Sequence, residues 1–407
     1  MTNVLFLGPG YPSEMALFTR GLAEVGARVI GVGDQPVDAL PPLSRDALWK
    51  YVSIPSWSDE EGALHTVLTA LRGVEVDLVE TLWEPTVVLA ARFREVIGTH
   101  GLTVDQAVTF RDKGRMKDVL AAAGIRVPRA MRSRTVAGVE EAAERIGYPL
   151  IIKPIAGAGS LDTYRLDRPG DLAPVLAQLR HVDEVSVEEF VDGEEFTYDT
   201  ICAGGAIAHF NISEYRPRPL IGKQVEWISQ QIITHRDVDA PGLAGGRALG
   251  EAVIRAMGFT SGFTHMEWYR TWDGEVVFGE IGARAPGGKI VDLINYASDI
   301  DVFRGWAEAV VHGRFSEPVE RRWNVAMIIK RAQGEGRIQR IEGLSHVMAT
   351  MGEHIVNVDL LEVGQPRRDW RQVVISDGVI MLRHRDLATT YELADRVGVE
   401  LNLYAGS

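Results

Sequence analysis

The chain has 407 residues, 46% of them hydrophobic, enough for two or three domains with substantial cores. A formal net charge of −13 argues against a general nucleic-acid binder, whose footprint is basic, and suits a protein that handles small or metal-complexed substrates. The single cysteine, Cys202, excludes an internal disulfide framework and a thiolate zinc cluster; in the apolar run YDTICAGG it reads as an inert core thiol.

The opening MTNVLFLGPG lacks the basic start and the apolar core of a signal peptide. No window approaches the ~20 apolar residues that a membrane helix needs, so a cytoplasmic protein is expected. VLFLG (4–8) reads as a buried strand followed by a Gly-Pro-Gly turn, SEMALFTRGLAEVG as a helix ending at Gly26, and RVIGVG as a second strand. VDLVETLW and WEPTVVLAARFREVIG repeat the theme, so residues 1–105 are expected to form an open parallel α/β domain. Gly8 and Gly10 have the spacing of half a dinucleotide fingerprint. The third glycine is absent and no acidic residue ends the second strand, although Asp34 follows it closely; a plain strand-to-helix turn is preferred.

Farther on, Lys113 to Ala123 and VAGVEEAAERIG have helical spacing, and YPLIIKP is a short strand ending in a lysine. VSVEEFV and EFTYDTICAGG read as two strands around a DGE turn, giving an α+β region with hairpins. After about residue 316, NVAMIIKRAQGEGRIQRIEG reads as two strands around a Gly-rich turn, and VVISDG with VIMLRHRD as two more. Residues 316–407 are therefore expected to form a small β-rich cap. RVPRAMRSR (126–134) reads as a surface basic run rather than a nucleic-acid arm.

The segment with the most chemical content is HMEWYRTWDGEVVFGEIGARAPGG, His265 to Gly288. Asp273-Gly274 between two apolar-rich runs is a strong hairpin signal. With those two residues as the turn, Glu267 lies opposite Glu280 on one side of the ribbon. Opposed like charges destabilise a strand pair by roughly 0.2–1 kcal/mol, so the pair calls for a cation between them. Lys153, in IIKPIAGAGS, ends a strand just before a loop containing Gly157, Gly159 and Ser160, whose backbone N–H groups suit an anionic oxygen. Taken alone, that loop is read as a mobile connection in preference to a phosphate cradle. Lys113 and Lys117 begin a helix, where a solvated face is the default. Glu188 to Val191 can present backbone groups to a purine edge, with Glu195 reaching a ribose hydroxyl; an acidic rim explains that segment equally well.

The order and spacing of these motifs over residues 106–312 resemble the ATP-grasp superfamily, and the flanking domains resemble its carboxylate–amine ligases, especially those that join amino acids into dipeptides. The resemblance implies an ATP-grasp domain over 106–315, with a lid subdomain at about 115–190. It implies that Lys113 and Lys153 contact ATP phosphates, and that Gly157, Gly159 and Ser160 belong to the loop closing over them. It places Glu188, Glu189 and Val191 at the adenine hinge, Glu195 on the ribose, Glu267 and Glu280 on the metal, and Arg284 against the transferred phosphate or acyl phosphate. One departure stands out. Where the family often carries a metal-binding asparagine, this chain has Gly282. His265, opposite it, is open to three readings, as a ligand, a substrate contact or a satisfied core histidine, the last preferred.

The implied cofactors are ATP and Mg2+, with Mn2+ as the alternative ion, since a carboxylate pair suits a hard cation better than zinc. The implied reaction activates a carboxylate as an acyl phosphate, which an amine then attacks to give an amide, ADP and phosphate. Arg216, Arg218 or Lys223, in the Arg- and aromatic-rich 211–231 stretch, are candidates to clamp a substrate carboxylate. Expected partners are small-molecule carboxylate and amine substrates, with no nucleic acid or membrane and a homodimer left open. A biotin- or purine-type carboxylase and a non-catalytic nucleotide-binding protein are the alternatives.

Overall fold

The computed structural model describes residues 1–155 and 162–406; Gly157, Gly159 and Ser160 lie outside them. Among the described residues no helix is long and apolar enough to cross a membrane. Four parallel strands open the chain: β1 (Asn3–Leu7), β2 (Arg28–Gly33), β3 (Leu48–Ser53) and β4 (Leu78–Thr81), in the order β3-β2-β1-β4. The unbroken apolar run of β1 follows from its central place, because helices cover both faces of a parallel sheet; Val4 to Leu7 have no solvent exposure. The strand order reverses between β1 and β4, so the loops leaving their carboxyl ends border a crevice. The Gly-Pro-Gly turn is one of those loops. A Cβ on Gly10 would lie 2.8 Å from Pro41 Cδ, so this glycine serves close packing and leaves no dinucleotide cradle.

A second sheet, β5 (Ala130–Ser133), β6 (Leu150–Pro154), β7 (Tyr164–Leu166) and β8 (Val185–Glu189), is antiparallel in the order β5-β8-β6-β7. The helix Val136–Ile146 packs Val139, Ala142, Ala143 and Ile146 onto it, at the i, i+3, i+4, i+7 spacing of one helical face. The expected hairpin around DGE does not form. β8 belongs to this small sheet, whereas β9 (Gly193–Ala203) opens the large one, so Phe190 to Asp192 is a crossing between two sheets.

The large sheet continues with β10 (Ala206–Arg216), β11 (Gln231–Thr234), β12 (Gly262–Thr271), β13 (Val276–Gly282) and β14 (Asn324–Ile329). β15 (Arg337–Glu342), β16 (Ile355–Leu360), β17 (Gly378–His384) and β18 (Asn402–Gly406) complete the chain. The eight-stranded order is β13-β12-β9-β10-β11-β14-β17-β16, and β15 pairs with β18 alone. The C-terminal segment thus extends the central sheet through β14, β17 and β16. β14 and β15 are not the hairpin expected around the Gly-rich turn, because each pairs elsewhere, and Val373 to Ser376 form turns rather than a strand.

The β12–β13 hairpin differs in detail from expectation. Its loop has three residues, Trp272 to Gly274, closed by Gly274 N–H to Thr271 O at 2.9 Å, with Gly274 at φ +91°. That places Trp268 opposite Phe278; a bulge at Gly279 then restores Glu267 opposite Glu280 and His265 opposite Gly282. The two departures cancel at the carboxylates.

Cores connect the units unequally. Phe6, Phe18 and Leu22 of the first unit share one cluster with Ile201, Phe263, Phe303 and Trp306, and the Phe18 ring lies 4.8 Å from Phe303 and 5.3 Å from Trp306, both edge-on. The small sheet has its own core, drawn from residues between Met131 and Val187.

Candidate active site

Alternation along two neighbouring strands builds the floor of the site. β9 lies against β12 with Glu195 opposite Tyr269, Thr197 opposite Glu267 and Asp199 opposite His265. Residues two apart share a face, so these six, with Glu280 and Gly282 of β13, form one polar surface. The intervening Phe196, Tyr198, Met266, Trp268, Phe278 and Ile281 enter the core on the other side. Above the polar face is a cavity of about 660 Å³, walled by the loops after β1 and β4, the ends of β6 and β8, and the C-terminal segment at Trp370 to Val374.

Cations converge on Glu280. Lys113 starts the helix Lys113–Ala122, whose N-cap Asp112 accepts from Gly114 N–H at 2.9 Å and Arg115 N–H at 3.0 Å. Lys113 Nζ is 3.3 Å from Glu280 Oε2, and Lys153 Nζ is 4.0 Å from the same oxygen. Burial alone would raise the Glu280 carboxyl, but Lys113 and Lys153 outweigh it and hold it down at about 2. Lys153 also lies 3.0 Å from Glu188 Oε2, while Lys117, one turn beyond Lys113, donates to Glu188 Oε1. Burial opposes the ionised Glu188, yet the two lysines keep its carboxyl well below the usual range.

At Glu195 burial wins, and at His265 a neighbouring charge does. Burial, with Glu267 nearby, pushes the Glu195 carboxyl up to about 7, against Arg218 at 3.0 Å. Burial would lower His265, but Asp199 at 2.6 Å from Nδ1 raises it to about 9. His265 therefore lies between two acids, its Nε2 3.7 Å from Glu267 Oε1, and it lines the cavity. It is a satisfied histidine at the edge of the site, with one face toward any ligand.

Arg284 comes after β13 and is held by a residue absent from the sequence-based site. Its Nε donates to Glu84 Oε2 at 2.7 Å, while Glu84 Oε1 accepts from Arg111 at 2.5 Å. Burial opposes the ionised Glu84, and Arg284 with Arg111 reverses that, holding its carboxyl below the usual range. Glu84 follows β4 at the crevice between β1 and β4. A Cβ on Gly282 would lie 3.0 Å from Glu84 Oε2 and 3.3 Å from Arg284 Cγ. The space of the missing asparagine is occupied by this pair.

Among the described residues no group of three or more His, Cys, Asp and Glu side chains is gathered for a metal ion. Glu267 and Glu280, each about a quarter exposed to the cavity, still fit Mg2+. They give it oxygen donors and leave other octahedral positions to water and phosphate.

Several expected roles move. The Glu188 carboxylate is paired with two lysines, which leaves the backbone of its segment for a purine edge. Glu189 is held by Arg126 and Arg129 of the basic run, so only its backbone remains for a hinge contact. The Val191 carbonyl accepts from Arg218 at 2.7 Å, and Glu195 is paired with the same guanidinium. Arg218 lines the cavity, with its Nε and Nη1 spent on these groups. Arg216 lies outside this cavity, bonded to Gln231 and stacked on Tyr391 at 4.4 Å. Lys223 is in the helix Pro219–Gln224, and its side chain lies outside the described set. The basic run is a set of paired surface residues, with Arg132 and Arg134 on Glu184. Burial raises the Cys202 thiol to about 11, as expected of an inert core cysteine.

Three residues at the site carried no site assignment from the sequence: Glu84, Arg111 and, in this role, Lys117. Only Lys117 had a signal, its i, i+4 spacing from Lys113. Arg331, Trp370 and Arg371 add a second basic, aromatic wall, with Trp370 between the two guanidiniums at 4.5 and 4.8 Å.

No family model matches the chain. It is 30% identical over 244 residues to the L-arginine-specific L-amino acid ligase of Bacillus subtilis, a match covering 58% of each protein. It thus spans little more than half the length of that relative. Among solved structures, an L-amino acid ligase from Bacillus licheniformis superposes with a TM-score of 0.81 over 100% of this chain and 99% of that one, at 19% identity. The N5-carboxyaminoimidazole ribonucleotide synthetase from Thermotoga maritima gives 0.73 over 100% of both chains, at 18% identity. With its two sheets around the cavity, the chain shares the fold of these two proteins along its whole length.

Proposed function

We propose that this protein is an ADP-forming carboxylate–amine ligase that uses ATP and Mg2+ and acts on amino-acid-like substrates. The observation that carries this reading is the convergence of Lys113, Lys153 and Arg284 on a floor with two opposed carboxylates in one cavity. Two anions, a triphosphate and a carboxylate, must meet in the first step, and fixed cations lower that barrier.

Lys113 and Lys153 hold the β- and γ-phosphates, and Phe190 to Asp192 hold the base where the two sheets meet. The Glu195 side chain reaches the ribose. Glu267 and Glu280 would hold Mg2+, which would supply neutralisation of charge on the phosphate oxygens. Lys113 lies 3.3 Å from Glu280, beside the place where the phosphates would meet the carboxylate pair. Arg284 faces the transferred group. Attack by the substrate carboxylate on the γ-phosphorus forms its C–O–P link and breaks the bond to ADP. The amine then displaces phosphate from the acyl carbon and loses one proton. The amino-acid ligase relatives support the choice of substrate class.

The test is ADP release from ATP with paired acids and amines, with mass spectrometry of the product. Amide formation with one ADP per product supports the reading. Turnover with bicarbonate alone would replace it by a carboxylase, and no turnover with any acceptor by a nucleotide-binding protein.

A further inference from the structure

We propose that the loop at 367–377 is the subsite for the amine substrate, and that Arg371 binds a carboxylate which that substrate carries. The inference rests on the ligase reading above and narrows it, from amines in general to amines with a free carboxylate, such as amino acids.

The loop is closed on a buried aspartate. Asp377, with no solvent exposure, accepts from Arg367 Nε at 3.2 Å, from Arg368 N–H at 2.8 Å and from Ala332 N–H at 2.8 Å. Arg367 also reaches Glu226 at 3.0 Å. Ends tied in this way make a compact loop packed by its own side chains, a form that recurs at binding sites. Its tip, through Trp370, Arg371 and Val374, lines the cavity. Val374 also meets the turn that carries Arg284, since a Cβ on Gly288 would lie 3.0 Å from Val374 Cγ1. The loop therefore borders the end of the cavity where the acyl group would be activated.

Arg371 stands apart from the other cations of the cavity. Lys113, Lys153, Arg111, Arg218 and Arg284 each face a carboxylate at 3.3 Å or closer. The Arg371 guanidinium has neither a carboxylate nor a hydrogen-bond acceptor among the described residues; only its backbone N–H is used, donating to Asp369 at 2.9 Å. What holds the guanidinium is the Trp370 ring, 4.8 Å away, which also carries Arg331 at 4.5 Å. Arg331 is anchored in turn on the carbonyls of Gly222 at 2.6 Å and Val225 at 3.1 Å and on Ser376 Oγ at 3.2 Å. Those acceptors are neutral, so both positive charges of this wall lack an ion-pair partner among the described residues. An arginine stacked on an aromatic ring keeps a planar edge of N–H donors, the shape that takes a carboxylate through two parallel hydrogen bonds. The triphosphate already has Lys113 and Lys153, and the reacting carboxylate is consumed in the first step. The anion left for this wall is one on the amine.

The test uses the full-length protein with ATP, Mg2+ and each proteinogenic L-amino acid in turn, mixed equally with its own carboxamide. The carboxamide has no carboxylate to activate, so it enters only as the amine. The ratio of dipeptide to dipeptide amide, read by mass spectrometry, reports the amine subsite alone. Wild type should favour the dipeptide about tenfold or more, the worth of a charge-assisted hydrogen bond. Arg371→Ala should bring the two products near equality, and Arg371→Lys should restore part of the preference, because charge returns without the planar edge. Trp370→Ala should lower the ratio too, since the guanidinium loses its stack. Hydroxylamine, which traps the acyl phosphate as a hydroxamate, reads the first step: Arg371→Ala should lower hydroxamate formation far less than dipeptide formation. The thermal shift with MgADP shows that each variant is folded. A wild-type ratio near equality, an unchanged ratio in Arg371→Ala, or equal loss of hydroxamate and dipeptide in that variant overturns the subsite and leaves the ligase reading standing. Wild type that forms none of the three products overturns the ligase reading, and the subsite with it.

Discussion

The two units that flank the site differ in how they are attached. The N-terminal unit shares an apolar cluster with the large sheet through Phe18, Phe303 and Trp306, whereas the small sheet keeps its own core between Met131 and Val187. The small sheet meets the site mainly through charge, with Lys153 and Glu188 facing Glu280 and Lys117. Apolar fusion fixes geometry, because packed interiors resist displacement. Ion pairs can exchange partners when a polyanion arrives. The comparison gives the fused unit fixed geometry, at Glu84, and the small sheet ion pairs that can exchange.

The largest effect is expected where both units meet. Glu280→Gln should lower ADP formation by roughly three orders of magnitude or more, about 4 kcal/mol, because metal and lysines lose their common anion. Circular dichroism should show an unchanged fold, and near-normal turnover would remove the metal assignment. Next come the cores. Trp306→Ala should cost about 3–5 kcal/mol and melt the N-terminal unit together with the large sheet in denaturant. Ile152→Ala should cost about 2–4 kcal/mol and be felt as faster amide exchange within residues 130–189 alone. Similar exchange in both units for both variants would refute the contrast.

Lys153→Ala should raise the half-saturating ATP concentration roughly tenfold to a hundredfold, with a smaller change for the acid. The smallest effect concerns the fused unit. Glu80 of β4 is lifted by burial to about 6, although Arg94 lies 3.8 Å away and opposes the shift. Its folded value exceeds its unfolded value, so its contribution is full below about 4.5 and fades as pH rises through about 6. Glu80→Gln should therefore flatten the stability–pH profile over that window by roughly 1–2 kcal/mol, measured by urea titration.

The hairpin shows how far sequence reasoning reached and why. Alternation in HMEWY and EEFTYD already sorted cavity-facing from core-facing residues, since side-chain period in a strand is a local property. The pairing of Glu267 with Glu280 came out right although the loop has three residues and not two. The bulge at Gly279 adds one residue to β13 and offsets the difference. Neither loop length nor bulge is set by local propensity alone. β3, β16 and β18, short or edge segments, gave too little periodic signal to stand out, and two expected hairpins dissolved because their strands found partners in other sheets.

By itself, the sequence determined which residue types alternate toward the cavity, roughly where four of the helices lie, and that two carboxylates share one ribbon face. These follow from steric and periodic rules acting over a few residues. Tertiary structure alone decided that β8 and β9 part company, that Arg216 lies outside the cavity, and that Glu84 enters it from 200 residues away to hold Arg284. No local rule reaches that far. Only the reversal of strand order between β1 and β4, with the empty place at Gly282, brings Glu84 to Arg284.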